Sequence, residues 1–266
     1  MALAPGVLGI VNVTPDSFYP ESRTLSPRDA VARGRAFFAA GCDAVDVGGE
    51  STRPGATPVA LDDELARVVP VVAELAGVGP VSVDTTKEAV ARAAVAAGAV
   101  VINDVSCGLL ELAGELGVGY VAMHARGTPA TMQNDLHYDD VVGEVYAFLE
   151  AQAQRARRAG ISRLWLDPGI GFAKTGAHNW ALLANLERFV ELAQRFDARV
   201  LVGTSRKRFL GALSRPPLDV DDRLEGSLAT AAWAMLCGVD LIRAHDVVAT
   251  VQLRDVVARP MRGVDV

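Results

Sequence analysis

Val81-Ser82-Val83-Asp84-Thr85-Thr86-Lys87-Glu88-Ala89-Val90-Ala91-Arg92-Ala93-Ala94-Val95-Ala96-Ala97-Gly98-Ala99-Val100-Val101-Ile102-Asn103-Asp104 holds one complete repeat of the plan on which this chain is built. Val81 to Val83 is a short β-branched run that ends on a carboxylate, Asp84. An alanine-rich stretch of helical period follows, Gly98 stops it, and Val100 to Ile102 is a second β-branched run ending on Asn103 and Asp104. Thr85, with Glu88 three residues on, reads as a capping box at the helix start. Strand, helix and strand at this spacing make a βαβ unit, whose two strands run parallel.

The alternation continues on both sides of this repeat. Further strands are expected at Val7 to Val11, Ala44 to Val47, Tyr120 to Met123, Leu164 to Leu166, Val200 to Val202, and Leu241 to Ile242. All are apolar without alternation, as strands buried on both faces are. Ser26-Pro27 reads as an N-cap with proline at the first helical position, and Gly41, Gly160 and Gly238 stop helices as Gly98 does. Between the last two strands the helix comes in two pieces, after Ser205 and after Asp221, divided by Arg215-Pro216-Pro217. Eight repeats in 266 residues predict one domain over residues 1–266, a (β/α)8 TIM barrel, with an open doubly wound sheet as the competing arrangement.

Composition narrows the function. A net charge of −6 argues against nucleic acid or an anionic membrane as the main partner, so any bound anion must be met by local donors. Cys42, Cys107 and Cys237 are odd in number and in no metal-ligand spacing, which predicts neither disulfides nor zinc and a reducing, cytoplasmic setting. No signal sequence and no apolar run of membrane-spanning length is legible. Only three of the 26 basic residues are lysines, Lys87, Lys174 and Lys207, so a lysine here runs against composition.

A barrel of this kind carries its site at the C-terminal ends of the strands. The residues expected there are Asn12, Asp46 with Glu50, Asp84, Asn103 with Asp104, His124, Asp167, Ser205 with Lys207, and Arg243 with His245 and Asp246. Each has a plainer reading. Asp84 and Asp104 serve equally well as strand terminators or caps, His124 as a wall residue, Arg243 with Asp246 as an ion pair, and Glu64 with Arg67 as a solvated pair on a helix surface. As a set, the carboxylates, Asn103 and Lys207 suit a flat, nitrogen-rich heterocycle, either a pterin or guanine: Asp167 accepts from an amino group and a ring N–H, and Lys207 donates to a ring carbonyl. Asn12, Arg243 and His245 suit a pyrophosphate with its magnesium, since the first and last strands adjoin in a closed barrel. Gly108, Gly169 and Gly171 permit close approach to a ligand, and no Walker or dinucleotide fingerprint is present.

Eight segments in order, one per strand end, carry a resemblance. They are Asn12-Val13-Thr14-Pro15-Asp16-Ser17-Phe18, Gly48-Gly49-Glu50-Ser51-Thr52-Arg53-Pro54-Gly55, Ser82-Val83-Asp84-Thr85, Ile102-Asn103-Asp104, Met123-His124, Asp167-Pro168-Gly169-Ile170-Gly171-Phe172, Gly203-Thr204-Ser205-Arg206-Lys207 and Arg243-Ala244-His245-Asp246. Together they resemble the dihydropteroate synthase family over the whole chain. The resemblance implies a homodimeric transferase of folate biosynthesis. Its substrates would be small molecules, 6-hydroxymethyl-7,8-dihydropterin pyrophosphate and p-aminobenzoate. It implies a pterin slot of Asp84, Asn103, Met123, Asp167, Phe172 and Lys207, and a pyrophosphate site of Asn12, Arg243 and His245 in which Asn12 ligates Mg²⁺. A p-aminobenzoate site of Phe18, Thr52, Arg53, Pro54 and Ser205 is implied too, where sulfonamides would compete. The implied mechanism is dissociative, with Lys207, Arg243 and His245 as catalytic groups and Asp16 stabilising the pterin cation.

Three departures from the family pattern stand out: Tyr19-Pro20-Glu21-Ser22 follows Phe18 where Ser-Asp-Gly-Gly is usual, Cys107 replaces a common glycine, and Ala244 replaces a larger apolar residue. Two other classes remain to be separated. A pterin-binding methyltransferase domain does not need the Thr14-to-Phe18, Thr52-to-Pro54 or Ser205-to-Lys207 segments, all present here. A non-catalytic pterin-binding paralogue would show damage in the loops or pyrophosphate residues.

Overall fold

The structure is a computed structural model that describes residues 5–14, 26–51, 56–128, 131–132 and 134–259. Its eight strands are β1 Gly6–Asn12, β2 Ala44–Gly48, β3 Val81–Asp84, β4 Val101–Asp104, β5 Gly119–Met123, β6 Leu164–Asp167, β7 Arg199–Val202 and β8 Leu241–Ala244. All neighbours pair in parallel, and β1 pairs with β8 in the register Gly6 to Leu241 and Gly9 to Ala244, so the sheet is a closed barrel. Closure rules out the doubly wound alternative. Each expected run lies within a strand except Val100, just before β4, and several strands extend one residue further onto a polar group such as Asn12, Asp84 or Asp167. Those side chains are therefore aimed by sheet hydrogen bonds.

The helices are α1 Pro27–Ala39, α2 Leu61–Ala76, α3 Glu88–Ala96, α4 Leu110–Leu116, α5 Val141–Arg158, α6 Gly176–Ala184, α7 Leu186–Arg195, α8 Arg208–Gly211, α9 Leu224–Leu236 and α10 Val247–Val257. Ser26 caps α1 by accepting from Asp29 N–H, as the sequence predicts. Gly41, Gly98, Gly160 and Gly238 all adopt positive φ after a helix end; at Gly98 (φ 112°) a Cβ would also fall 2.6 Å from Ala76 Cβ. The capping box is not formed. Thr85 Oγ1 instead donates to buried Glu64 (2.7 Å) and accepts from Lys87 N–H (3.2 Å), and α3 starts without a side-chain cap. The expected split between β7 and β8 is present as α8, then a 3-10 turn, Asp221–Arg223, leading into α9. A second split, at Asn185 between α6 and α7, has no strong breaker to announce it.

Most of the core lies between barrel and helices, with Val47, Val83, Ile102, Leu166, Val200 and Phe189 fully buried. A smaller cluster fills the lumen floor: Leu8, Val121 and Leu201, flanked by Ala44, Val101, Trp165 and Leu241. Side chains alternate along a strand, so the residues two positions further on share the lumen one layer higher. Those residues are Asp46, Asn103, Met123, Asp167 and Arg243, with Ile10 and Gly203 completing the layer. The floor is apolar; the layer above it is charged.

No helix among the described residues is long and apolar enough to cross a membrane. Gly114 in α4 packs on the end of α5, where an added Cβ would fall 2.3 Å from the Ala159 carbonyl oxygen, whereas one at Gly176 meets nothing within 4 Å. In urea melts, Gly114→Ala is expected to lose about 1–3 kcal/mol through overpacking, and Gly176→Ala to stay within about 0.5 kcal/mol of wild type or gain.

Candidate active site

Closure brings β8 beside β1 and within reach of β2 and β3. Arg243 Nε donates to Asp46 Oδ2 and its Nη2 donates to Asp84 Oδ2, each at 2.7 Å. Asn103 Nδ2 also donates to Asp46 Oδ2, at 2.8 Å, which fixes the amide orientation. Asp46 is fully buried, and Asp84 and Asn103 nearly so. One guanidinium thus serves two carboxylates, and among the described residues each keeps a buried Oδ1 without a hydrogen-bond partner. Burial pushes the Asp84 carboxyl up to about 7; Arg243 pulls it down and Asp46 pushes it further up.

The opposite wall comes from β6 and the segments after β6 and β7. Burial raises Asp167, against the pull of Lys207 and of the Gly169 N–H that donates to its Oδ1 at 2.8 Å. Lys207 donates to the Ile170 carbonyl and stands 4.7 Å from the Phe172 ring centroid. Burial pulls this lysine down to about 8, with Asp167 holding it up. Met123, at the end of β5, is buried. Asp84, Asn103, Met123, Asp167, Phe172 and Lys207, the six residues that the resemblance implies for a slot, therefore line or flank one opening.

His245 and Ser205 meet at the β7–β8 edge: Ser205 Oγ accepts from His245 N–H and lies 3.1 Å from His245 Nδ1. The serine expected near a carboxylate is engaged in steadying the histidine. The Asn12 side chain, at the end of β1, makes no hydrogen bond among the described residues. Asp16, Phe18, Thr52, Arg53 and Pro54 lie outside the described residues, as does the divergent segment Tyr19 to Ser22.

Other expectations change partner. Asp246 pairs with Arg206, at 2.6 and 2.8 Å, and not with Arg243, because strand alternation sends Arg243 into the lumen while Asp246 begins the turn into α10. Glu64 is only 1% exposed and forms no surface pair with Arg67. It takes Thr85 and, at 2.5 Å, Lys87, which also bridges to Glu50, while Arg67 donates to the Gly49 carbonyl. Asp104 has the plainer role: it accepts from Ser106 and Leu109 N–H and from the Tyr120 hydroxyl, fixing the loop after β4. Cys107 in that loop sits at φ 54°, a conformation that favours the glycine it replaces. His124 is a buried wall residue, and burial pulls it down to about 3, so it is neutral. Asp46 is the site residue with no specific role in the sequence reading; its place two positions after a lumen-floor residue is the signal that finds it.

A closed barrel whose mouth is lined by buried carboxylates, an amide and a lysine defines a class of enzyme that holds a polar heterocycle. The sequence profile of the family described as "Pterin binding enzyme" matches residues 8–245. The dihydropteroate synthase of Escherichia coli is 44% identical over 261 residues, covering 95% of this chain and 90% of that protein. The Yersinia pestis dihydropteroate synthase, solved in complex with a sulfonamide drug, superposes with a TM-score of 0.88 at 41% identity, covering 96% of this chain and 93% of that one. The Xanthomonas albilineans dihydropteroate synthase, solved with 4-aminobenzoic acid, gives 0.84 at 46% identity, covering 96% and 94%. The chain belongs to the dihydropteroate synthase family, and is a transferase of folate synthesis.

Removing the shared cation exposes the electrostatic design. Arg243→Met leaves Asp46 and Asp84 buried without a counter-charge, and a loss on the order of 3 kcal/mol is expected at neutral pH. Carboxyls that take up protons remove the unpaired charge. Arg243 lowers Asp84, so without it Asp84 takes up its proton at a higher pH, and the loss should shrink as pH falls toward about 7, where this carboxyl is protonated even with Arg243 present. Urea melts of both proteins at pH 5.5 and 8 check this; an equal loss at both would show that the ion pairs are not its origin.

Proposed function

We propose that the chain condenses 6-hydroxymethyl-7,8-dihydropterin pyrophosphate with p-aminobenzoate, giving 7,8-dihydropteroate and pyrophosphate. The observation that carries this reading is the convergence of Asp84, Asp167, Asn103 and Lys207 on one lumen. Ionised Asp84 and Asp167 accept from the pterin amino and ring N–H groups. Asn103, whose Nδ2 is committed to Asp46, turns its oxygen to accept, and Lys207 donates to the ring carbonyl. Met123 and Phe172 supply the apolar walls. The sulfonamide and 4-aminobenzoic acid complexes of the relatives support a p-aminobenzoate site open to the same inhibitors here. By resemblance that site takes Phe18, Thr52, Arg53 and Pro54, with Ser205 near the carboxylate of p-aminobenzoate.

The arylamine is a weak nucleophile, so the barrier is lowered chiefly by helping pyrophosphate leave the pterin methylene before the amine attacks. Arg243 keeps Nη1 without a protein partner among the described residues while its other nitrogens hold Asp46 and Asp84, so it meets the leaving anion preset in position. His245, steadied by Ser205, donates beside it. The hard, unengaged amide oxygen of Asn12 fits Mg²⁺, a cation that keeps several waters and takes few protein ligands; bound with the substrate phosphates, the ion would supply further positive charge to the leaving group. Asp16 is the residue we assign to the pterin cation. We further propose a cytoplasmic homodimer that uses α9 and α10, which expose Trp233, Leu236, Val248 and Val256; sedimentation should give twice the mass of the chain.

Radiolabelled p-aminobenzoate, the pterin pyrophosphate and Mg²⁺ should yield labelled dihydropteroate. Asp84→Ala, Asp167→Ala and Lys207→Ala are each expected to lower kcat/KM by about a hundredfold or more. EDTA should stop turnover and Mg²⁺ restore it. Pterin binding without product would instead support the non-catalytic reading.

The pH profile gives a separate test. Asp84 takes up its proton at about 7 in the free protein and is then no longer a pure acceptor. The expected kcat/KM for the pterin substrate therefore falls as pH drops through that value, and a flat profile from pH 5.5 to 8 would contradict the assignment.

A further inference from the structure

Lys174 is the lysine that the proposed chemistry leaves unused. It is only 5% exposed, yet among the described residues no carboxylate contacts its ammonium. Its Nζ instead lies 3.0 Å from the Gly169 carbonyl oxygen, 3.0 Å from that of Phe172, 2.9 Å from His124 Nδ1 and 3.3 Å from the His124 carbonyl oxygen. Three N–H donors are shared among four neutral acceptors. His124 is kept neutral by burial and presents a lone pair, so the cage is built for a cation. Burial pulls Lys174 itself down to about 7, against the attraction of Asp167.

Two of the four acceptors belong to the segment 169–174, which needs outside support, and the other two belong to His124. Gly169, Gly171 and Ala173 have φ of 69°, 85° and 49°, and a side chain at the last of these disfavours that conformation by about 1 kcal/mol or more. Local order is further supplied by Phe172 N–H to Gly169 O (3.1 Å), Gly171 N–H to Asn179 Oδ1 (2.7 Å) and the Tyr138 hydroxyl to Ala173 O (3.1 Å). The same segment grips both charged groups of the opposite wall: Gly169 N–H holds Asp167, the Ile170 carbonyl takes Lys207, and the Phe172 ring faces that lysine.

Resting on the pterin reading above, we propose that Lys174 is a positioning residue for the pterin slot: its ammonium is the hub that holds segment 169–174 in the conformation presenting Asp167 and Lys207 to the ligand. The side chain touches no reacting atom. It acts as a captive monovalent cation held by three backbone oxygens and one imidazole nitrogen, and the loop folds around it as a loop folds around a bound ion.

The test compares wild type with Lys174→Met, first by amide hydrogen exchange of the free protein followed by NMR, then by kinetics with both substrates. The Gly169, Gly171 and Phe172 amides are expected to exchange about tenfold faster in the variant while the barrel strands keep their protection. KM for the pterin substrate should rise about tenfold, and that for p-aminobenzoate should stay within about twofold. In Lys174→Ala, propylammonium replaces the missing atoms and should restore protection and pterin affinity; tetramethylammonium, with no N–H, should not. Unchanged exchange in Lys174→Met, or equal losses toward both substrates without amine rescue, overturns the proposal. Should Lys174→Met fail to fold, Lys174→Gln, with two uncharged N–H donors, is measured in the same way and the same outcomes decide. A wild-type chain that forms no product would count against the catalytic reading alone, since the exchange comparison needs no substrate.

Discussion

A guanidinium set between two buried carboxylates governs the mouth of this barrel. Arg243 reaches across from the last strand to Asp46 and Asp84 on the second and third, which is possible only because the first strand closes against the eighth. Two carboxylates would not both stay ionised above an apolar floor without it, and one guanidinium does not fully satisfy the pair. The unmet remainder, two buried oxygens and a raised Asp84, is confined to the layer where a ligand rich in N–H donors would dock. Buried polar groups left short in the free protein are the kind that a complementary ligand completes.

The two walls of the opening are built by different physics. On the β2–β4 side, charge meets charge through strands that cannot shift without breaking the sheet. On the β6–β7 side, a loop of unusual backbone conformation carries the same responsibility, tied through carbonyl oxygens to two lysines.

Much of this was legible in the residues. Strands buried on both faces leave β-branched runs, and a barrel puts its chemistry immediately after each, so Asp84, Asn103, Asp167, Lys207, Arg243 and His245 stood out by position. What failed were the short-range rules. Thr85 with Glu88, Glu64 with Arg67 and Arg243 with Asp246 each satisfy a local spacing rule, and each loses to a partner supplied by the tertiary fold. Glu64 and Thr85 are 21 positions apart, and Arg243 and Asp46 are 197. Such pairs follow from closure, which a single strand's pattern does not encode. The break at Asn185 was also illegible, since the helical period continues across it.

The placement of the three lysines has a practical side. Lys87 is clamped by two glutamates, Lys174 is enclosed by carbonyls and Lys207 faces the lumen, so the remaining positive side chains, histidines aside, are arginines. Reagents that acylate primary amines therefore find, beyond the chain's own terminus, only the partly exposed Lys87, held by its two glutamates, outside the interior. Covalent chemistry aimed at amines, normally the least selective kind of protein labelling, becomes on this molecule a probe of its interior and of whatever occupies the mouth of the barrel.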